Sequence, residues 1–171
     1  MTDALSGPVS LTSDHVSTGR VMGGYVFVGT KGALHKVSAE DLTNTSGSPK
    51  VIANDNSWLT ATATSRDGAF LFVSSTDNNV YKVDVDTLEI VSSFQGHSNN
   101  VWCMMAPPLR SGSSEPFVIT AGYDGKIYKV REDDMTLADA DDYSGNTISG
   151  TGNTYALCAY DALSGTSASY R

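Results

Sequence analysis

Histidine and cysteine are the side chains best suited to chemistry at neutral pH, and this sequence has few of them. Its three histidines, His15, His35 and His97, are scattered along the chain. A lone histidine is more often a hydrogen-bonded structural group than a base or a metal ligand. Cys103 and Cys158 lie in apolar stretches without metal-ligand spacing, which indicates small buried side chains. These residues predict neither a catalytic centre nor a metal site.

A run of acidic residues is the other chemical candidate. It covers residues 132–134 and 139–142, and carboxylates are the ligands that calcium prefers. The run does not have the residue order of an EF-hand calcium loop, because Tyr143 and Ser144 follow Asp142 and no Glu ends the loop. A solvated loop is the preferred interpretation, and the same stretch is suited to docking a basic surface of a partner.

Signature motifs of enzymes are absent from the sequence. It contains no Gly-x-Ser-x-Gly, His-Glu-x-x-His, Cys-x-x-Cys or Walker-type loop. A glycine pair at Gly150 and Gly152 lacks the third glycine of a dinucleotide-binding loop. The sequence therefore predicts no catalytic residue and no cofactor.

Charge and apolar content narrow the choice of partners. Eleven Lys and Arg against nineteen Asp and Glu give a net charge of −8, which repels a phosphate backbone. Residues 1–8 do not have the pattern of a secretory signal. The longest apolar run, residues 101–106, is far shorter than the ~20 residues of a membrane helix. We expect a cytoplasmic chain that binds neither nucleic acid nor a membrane.

One pattern of residues occurs three times along the chain. Residues 25–37, 71–83 and 118–130 align without gaps as an apolar run, a turn with Gly, Asn or Asp, and a short run ending in Lys-Val. The final valines, Val37, Val83 and Val130, are 46 and 47 residues apart. Turn residues that tolerate positive φ, placed between β-branched and aromatic runs, are typical of a β-hairpin.

Two more strands are predicted for each repeat. In the second repeat, residues 58–64 precede a tight turn and residues 88–94 alternate like an edge strand. The consecutive apolar residues 70–73 indicate a strand that is covered on both faces. Four-stranded sheets that recur at this period and cover one another are the layout of a β-propeller. The predicted fold class is therefore all-β, a propeller of four-stranded antiparallel blades.

The third repeat resembles a WD40 repeat. It begins with the pair Gly96 and His97, has Thr120 on the following hairpin and Asp124 in the turn. The resemblance implies a structural hydrogen-bond network that joins His97, Thr120 and Asp124. The Trp-Asp pair of the family is missing from all three copies, and the Gly-His pair occurs only in the third. The second repeat is also similar to the looser propeller repeats of the YVTN or quinoprotein type.

A single, partial propeller domain is predicted for residues 1–171. Its blades span approximately residues 8–54, 55–96 and 97–149, and a fourth begins at 150–171. Closed propellers have roughly 4–8 blades, and an open stack would expose apolar sheet faces to water. We expect the ring to be part of a longer propeller, or to be completed by another chain or another copy.

The resemblance also implies a docking surface at one narrow end of the propeller. The positions that face it hold Trp58, Thr60, Thr76, Asn100, Trp102 and Tyr123. Trp and Tyr are common at binding hot spots, although the two tryptophans could instead fill blade interfaces.

The predicted function is a non-catalytic scaffold that binds other proteins, including the chain that completes the propeller. The alternatives are a lectin-like propeller that stacks sugars or small molecules on its tryptophans and, third, a quinoprotein-like enzyme.

Overall fold

Three four-stranded antiparallel sheets make up the described part of the molecule. A computed structural model describes residues 16–107, 115–138 and 147–149. Blade 1 contains β1 (Thr18–Met22), β2 (Tyr25–Gly29), β3 (Ala33–Ser38) and β4 (Lys50–Val51). Blade 2 contains β5 (Leu59–Thr64), β6 (Phe70–Ser75), β7 (Val80–Asp84) and β8 (Ile90–Phe94). Blade 3 contains β9 (Val101–Met105), β10 (Phe117–Gly122), β11 (Lys126–Arg131) and β12 (Thr147–Ser149).

Each blade is an up-and-down meander in which strands pair in chain order. The all-β fold class with four-stranded antiparallel blades is thus confirmed. The blade boundaries and the single domain over the whole chain stay predictions, and the fourth blade at residues 150–171 lies outside the described residues. Within the described ranges, no helix has the length and apolar character needed to cross a membrane.

The ungapped alignment of the repeats is wrong by one residue in the second strand of blade 1. Lys36 pairs with Phe27, and its counterpart Lys82 pairs with Phe72, whereas the ungapped alignment sets Phe27 beside Val73. The cause is the turn between the second and third strands. This turn spans residues 30–33 in blade 1 and residues 75–79 in blade 2, so it is one residue shorter in blade 1. Since side chains alternate between the two faces of a strand, a shift of one residue decides which neighbour a side chain meets.

Blade 2 is buried on both faces, as its consecutive apolar run predicts. Leu71 and Val73 belong to a cluster with Phe27 of blade 1, whereas Phe72 belongs to a cluster with Val118 of blade 3. All five side chains are nearly or fully buried. Because side chains alternate along β6, this one strand contributes apolar side chains to the interfaces of blade 2 with both blade 1 and blade 3.

An apolar residue with positive φ follows the third strand of each blade. Leu42, Leu88 and Met135 have φ values of 58°, 59° and 57°. Leu88 packs into the cluster between blades 1 and 2, and Met135 packs into the cluster between blades 2 and 3. In blades 2 and 3, this residue thus packs against the preceding blade. Leu42, in the first blade, is 37% exposed.

A buried lysine on the third strand links each of the first two blades to the next. Lys36 Nζ donates to the carbonyl oxygen of Val85 at 2.8 Å, and Lys82 Nζ donates to that of Asp133 at 3.0 Å. Both lysines also lie over an aromatic ring of their own blade, with Lys36 Nζ 4.4 Å from the Tyr25 centroid and Lys82 Nζ 4.1 Å from the Phe70 centroid. In blade 3, Lys129 Nζ is likewise 4.3 Å from the Phe117 centroid. The ring and the main-chain acceptor together stabilise an ammonium group away from water. This arrangement is named the lysine clamp.

Loss of the clamp at Lys82 is expected to loosen the contact between blades 2 and 3. Lys82→Met keeps the aliphatic stem but removes the donor for Asp133 and the cation over Phe70, which should lower the free energy of unfolding by about 1–3 kcal/mol. Urea denaturation followed by circular dichroism measures the change. Lys31→Met, at a half-buried turn position, is the control and should change stability by less than about 0.5 kcal/mol. Equal losses in the two variants would contradict the clamp.

Candidate functional site

The residues predicted to bind a partner lie at one edge of the blades. Trp58 immediately precedes β5 and Thr76 follows β6, while Asn100 precedes β9 and Tyr123 follows β10. Because neighbouring strands are antiparallel, the start of the first strand and the end of the second strand meet at the same edge of a blade. This edge is named the upper edge. Trp102, the second residue of β9, lies close to it.

Hydroxyl groups join neighbouring first strands near the upper edge. Ser17 Oγ donates to the carbonyl oxygen of Leu59, and Thr60 Oγ1 donates to that of Val101. Thr60, which the resemblance placed on the docking surface, is half-buried and contacts the next blade. The corresponding position of blade 3 is occupied by Trp102.

Trp58 and Thr76 hold each other in place at the upper edge of blade 2. The Trp58 amide donates to Thr76 Oγ1 at 2.8 Å, and the Thr76 amide donates to the Trp58 carbonyl oxygen at 2.9 Å. Trp58 also forms an isolated antiparallel bridge with Lys31 of blade 1. Both residues of the pair are half-buried, so a rigid backbone presents part of each side chain to solvent.

Trp102 and Tyr123 form a stacked aromatic pair at the upper edge of blade 3. Their ring centroids are 5.2 Å apart and their planes are inclined by 34°. The Tyr123 amide donates to the carbonyl oxygen of Asn100 at 2.9 Å, and all three residues are half-buried. The indole Nε1 of Trp102 is buried and has no hydrogen-bond partner. Half-exposed aromatic side chains fixed by main-chain bonds have the character of a binding hot spot.

The structure brings His97, Thr120 and Asp124 together beneath this pair. His97 Nδ1 is 2.9 and 3.1 Å from the two carboxylate oxygens of Asp124, and its Nε2 is 3.0 Å from Thr120 Oγ1. The Ser98 amide donates to the same carboxylate at 3.1 Å. A neutral imidazole that donates through Nδ1 and accepts at Nε2 satisfies all these groups. The network ties the segment before β9 to the turn after β10.

Burial controls the protonation of this network. The rings of Phe94 and Tyr128 approach the His97 ring edge-on, with centroids 6.2 and 4.6 Å away. Burial lowers the pKa of His97, and this effect exceeds the opposite effect of the Asp124 carboxylate. Burial by itself would raise the pKa of Asp124, but hydrogen bonds from His97 and from main-chain amides lower it below its ordinary value. The pair is therefore a neutral imidazole facing a carboxylate at neutral pH.

A hydroxyl, an imidazole and a carboxylate in this order also occur in hydrolytic triads. Here Thr120 is 0% exposed and His97 is 6% exposed. No substrate carbonyl can reach a hydroxyl that is fully enclosed. The geometry favours a structural role for the network, as the resemblance implies.

The sequence analysis missed two residues that shape this region. A Cβ atom on Gly122 would lie 2.7 Å from the Asn100 carbonyl oxygen and 3.1 Å from His97 Nδ1, so only glycine fits. In blade 2, Tyr81 supports the turn in place of a histidine, because its hydroxyl donates to Asp77 Oδ2 at 2.7 Å. Burial and this carboxylate raise the pKa of Tyr81 to about 12. The sequence signal for the role of Tyr81 was the Asp that both turns contain, Asp77 in blade 2 and Asp124 in blade 3, together with a tyrosine four residues after Asp77.

The interpretation of the acidic run as a solvated loop is wrong for Glu132. This side chain is only 7% exposed and accepts a hydrogen bond from the Arg66 amide at 3.1 Å. Burial raises the pKa of Glu132. The Glu132 amide donates to the Pro116 carbonyl oxygen, which turns this part of the chain inward. Asp134 stays exposed and contacts Arg131 at 3.2 Å, whereas residues 139–142 lie outside the described residues.

The other chemical candidates are dispersed. Cys103 is buried, and burial raises the pKa of its thiol. His35 is 3% exposed, burial lowers its pKa, and its Nδ1 has no hydrogen-bond partner. His15 and Cys158 lie outside the described residues. In the part of the chain that the structure describes, no group of three or more His, Cys, Asp or Glu side chains is placed to hold a metal ion.

Blades that pack through apolar faces, with a His–Thr–Asp network in one of them, define a repeat protein of the propeller class. Residues 88–128 match the WD40 family model, described as "WD domain, G-beta repeat", and this range contains the whole network. The chain thus carries a WD40 repeat, and the resemblance stated from the sequence is confirmed.

Solved structures of WD40 propellers share the fold. The structure titled "Crystal structure of RRP9 WD40 repeats" aligns with a TM-score of 0.67 and 13% identity. The one titled "Structure of U3-55K" aligns with a TM-score of 0.67 and 14% identity. Both alignments cover 83% of this chain and 41% of the other, so the chain spans about two fifths of the length of these structures. No curated protein sequence matches the chain.

Protonation of His97 should make the stability of blade 3 depend on pH. The pKa of His97 in the fold is below 6.5. As the pH falls, the unfolded chain therefore binds a proton at His97 before the folded chain does. Stability is therefore full above about pH 7 and decreases by up to about 1.4 kcal/mol per pH unit below about pH 6.5. Urea titrations between about pH 7.5 and about pH 5 measure this slope.

His97→Gln removes the proton acceptor and should make the slope shallower. His35, whose pKa burial also lowers, is present in both proteins, so the difference between the two curves reports on His97 alone. Parallel curves would show that His97 is not held neutral by burial.

Proposed function

We propose that this chain is a non-catalytic scaffold for protein–protein interaction that works within a larger propeller or complex. WD40 propellers generally act by binding other proteins and are generally not catalytic. The stacked Trp102–Tyr123 pair at the upper edge is the observation that carries the proposal for this chain. Trp58, Thr76 and Asn100 complete the proposed surface.

The physical basis is preorganisation of large side chains. Main-chain hydrogen bonds fix the positions that bear Trp58 and Tyr123, so little conformational entropy is lost when a partner binds. Each aromatic ring brings a large apolar area together with one polar atom. The net charge of −8 favours a partner with a basic surface.

Two further expectations rest on the sequence and remain predictions. The negative charge disfavours nucleic-acid binding, and a cytoplasmic location stays an expectation of the sequence analysis. Metal and cofactor binding are likewise not part of the proposed function.

The lectin-like alternative uses the same tryptophans as stacking platforms for sugars. It differs from the proposal in its ligand and not in its residues. A glycan array probed with the full chain separates the two functions. Binding to a defined glycan that is lost in Trp58→Ala and Trp102→Ala would support the alternative and contradict a protein-binding surface.

Truncation of the aromatic pair should weaken the capture of partners while the fold persists. Partners are captured from a cell lysate on the immobilised full chain, and affinity for a captured protein is then measured with purified components. Trp102→Ala and Tyr123→Ala are each expected to weaken binding by at least about 2 kcal/mol, roughly 30-fold. Val91→Ala, at a 53% exposed position of β8, is the matched control and should bind normally.

Thermal melts of the same variants distinguish a surface role from a core role. Cooperative melts in Trp58→Ala and Trp102→Ala are expected, with modest destabilisation. If both variants unfold, the tryptophans belong to blade interfaces and the proposed surface is wrong.

A further inference from the structure

A partly open cavity of about 420 Å³ lies between blades 2 and 3, at the edge opposite the upper edge. Blade 2 contributes the turn between β5 and β6 and one residue of β7, and blade 3 contributes residues just before β10 and just after β11. The described lining residues are Ser65, Arg66, Asp67, Phe70, Lys82, Pro116, Glu132 and Asp133. Sites for small molecules have volumes of roughly 300–1,000 Å³. This space, named the lower cavity, thus has the size of a ligand site.

Two oppositely charged side chains that line the lower cavity are almost fully buried. Lys82 is 6% exposed and Glu132 is 7% exposed, yet the two do not form an ion pair with each other. A buried charge is ordinarily paired, because an unpaired charge away from water is costly. A ligand that pairs with both groups at once would remove this cost.

Each of the two groups has hydrogen-bonding capacity that the fold leaves unused. Glu132 Oε2 accepts from the Arg66 amide at 3.1 Å, and no donor among the described residues bonds to Oε1. Lys82 Nζ donates one of its three hydrogens to the Asp133 carbonyl oxygen and lies over the Phe70 ring. Burial raises the pKa of Glu132, as expected for a carboxylate that accepts few hydrogen bonds. A ligand must therefore bring an acceptor for the lysine and a donor for the glutamate.

The charges of the lining disfavour a ligand with a net charge. The carboxylates of Asp67 and Asp133 join that of Glu132 and repel an anion. The Arg66 guanidinium joins the Lys82 ammonium and repels a cation. A primary amide offers a carbonyl acceptor and an NH₂ donor on one uncharged group. It is the simplest group that meets both requirements.

We propose that the lower cavity binds an uncharged primary amide, with its oxygen accepting from Lys82 Nζ and its NH₂ group donating to Glu132 Oε1. The carbon chain that bears the amide packs against Phe70 and Pro116, which give the lining its apolar part. In proteins this group is the end of a glutamine or asparagine side chain.

This inference goes beyond the proposed function and does not depend on it, because the lower cavity and the upper edge lie at opposite ends of the blades. A chain that captures a protein partner but binds no amide would contradict only this inference. A chain that binds the amide but captures no partner would contradict only the proposed function.

Three probes with the same alkyl chain test the class of ligand. The isotope-labelled full chain is titrated with butyramide, butyrate and butylammonium at neutral pH. The NMR signal of the Arg66 main-chain amide, which is bonded to Glu132, reports binding. Butyramide should give a saturable shift with a Kd at least about 10-fold lower than those of both ions. Equal binding of the three probes, or no saturable shift with butyramide up to its solubility limit, would overturn the proposal.

Two substitutions in the cavity should change its preference in opposite directions. Glu132→Gln keeps an oxygen for the Arg66 amide but removes a carboxylate, so butyrate should bind at least about 10-fold more tightly than to the wild type. Lys82→Met removes the ammonium, so butylammonium should gain affinity by a similar factor. Butyramide should bind both variants more weakly than it binds the wild type.

Glu40→Gln is the matched control, because it removes the same charge at an exposed position on the loop after β3. Its order of preference should be that of the wild type. Thermal melts establish which variants fold, and each cavity variant tests the assignment by itself if the other does not. A folded cavity variant that keeps the preference of the wild type contradicts the roles of these two side chains.

A blocked glycine pentapeptide with one central glutamine distinguishes the side chain of a protein from a free small molecule. Binding at least as tight as that of butyramide assigns the amide to a protein side chain, and weaker binding assigns it to a small molecule. The same peptide with a central glutamate should bind more weakly than the glutamine peptide. Equal binding of the two peptides would show that the cavity does not recognise the amide.

Discussion

Packing of apolar sheet faces against one another is the interaction on which the rest of this structure depends. A single four-stranded blade cannot bury both of its faces, and blade 2 achieves this only because it lies between two others. Leu71 and Phe72, adjacent on one strand, belong to different clusters. The lysine clamp and the hydroxyl bonds of the first strands add polar contacts at the same interfaces. Each blade is therefore stable only as a member of a series.

The upper edge is rigid because these interfaces hold the blades in place. The His97 network includes Asp124 and closely approaches Gly122, so buried polar groups hold the main chain on both sides of Tyr123. The structural network and the surface proposed to bind a partner thereby occupy two layers. The enclosed layer holds the imidazole and carboxylate, and the half-exposed layer holds the aromatic rings. In the described part of the third blade, the WD40 network is enclosed and lies next to the half-exposed aromatic pair.

Local patterns were sufficient to predict the hairpins, their spacing and the residues of the network. Hairpins depend on turn residues and apolar runs that are adjacent in sequence, and Gly96, His97, Thr120 and Asp124 occur in one repeat. The lysine clamp escaped notice although its Lys-Val pair marked the repeat, because its acceptors lie in the next blade, 49 residues from Lys36 and 51 from Lys82. The burial of Glu132 was missed for the same reason, since Arg66, which donates to it, is 66 residues away. The shorter turn of blade 1 was hidden because an ungapped alignment still placed apolar residues beside apolar residues.

The acceptor of each lysine clamp is a main-chain carbonyl, and this has a consequence for how such a chain can change. Every residue type carries that carbonyl, so the loop that receives the lysine is not restricted to one side chain. The residue that supplies the carbonyl is the apolar Val85 in one blade and the acidic Asp133 in the next, yet a lysine binds the loop in both. Copies of a duplicated unit can thus diverge in sequence at their junctions without losing the contact that joins them. Family signatures such as the Trp-Asp pair can disappear while the architecture persists.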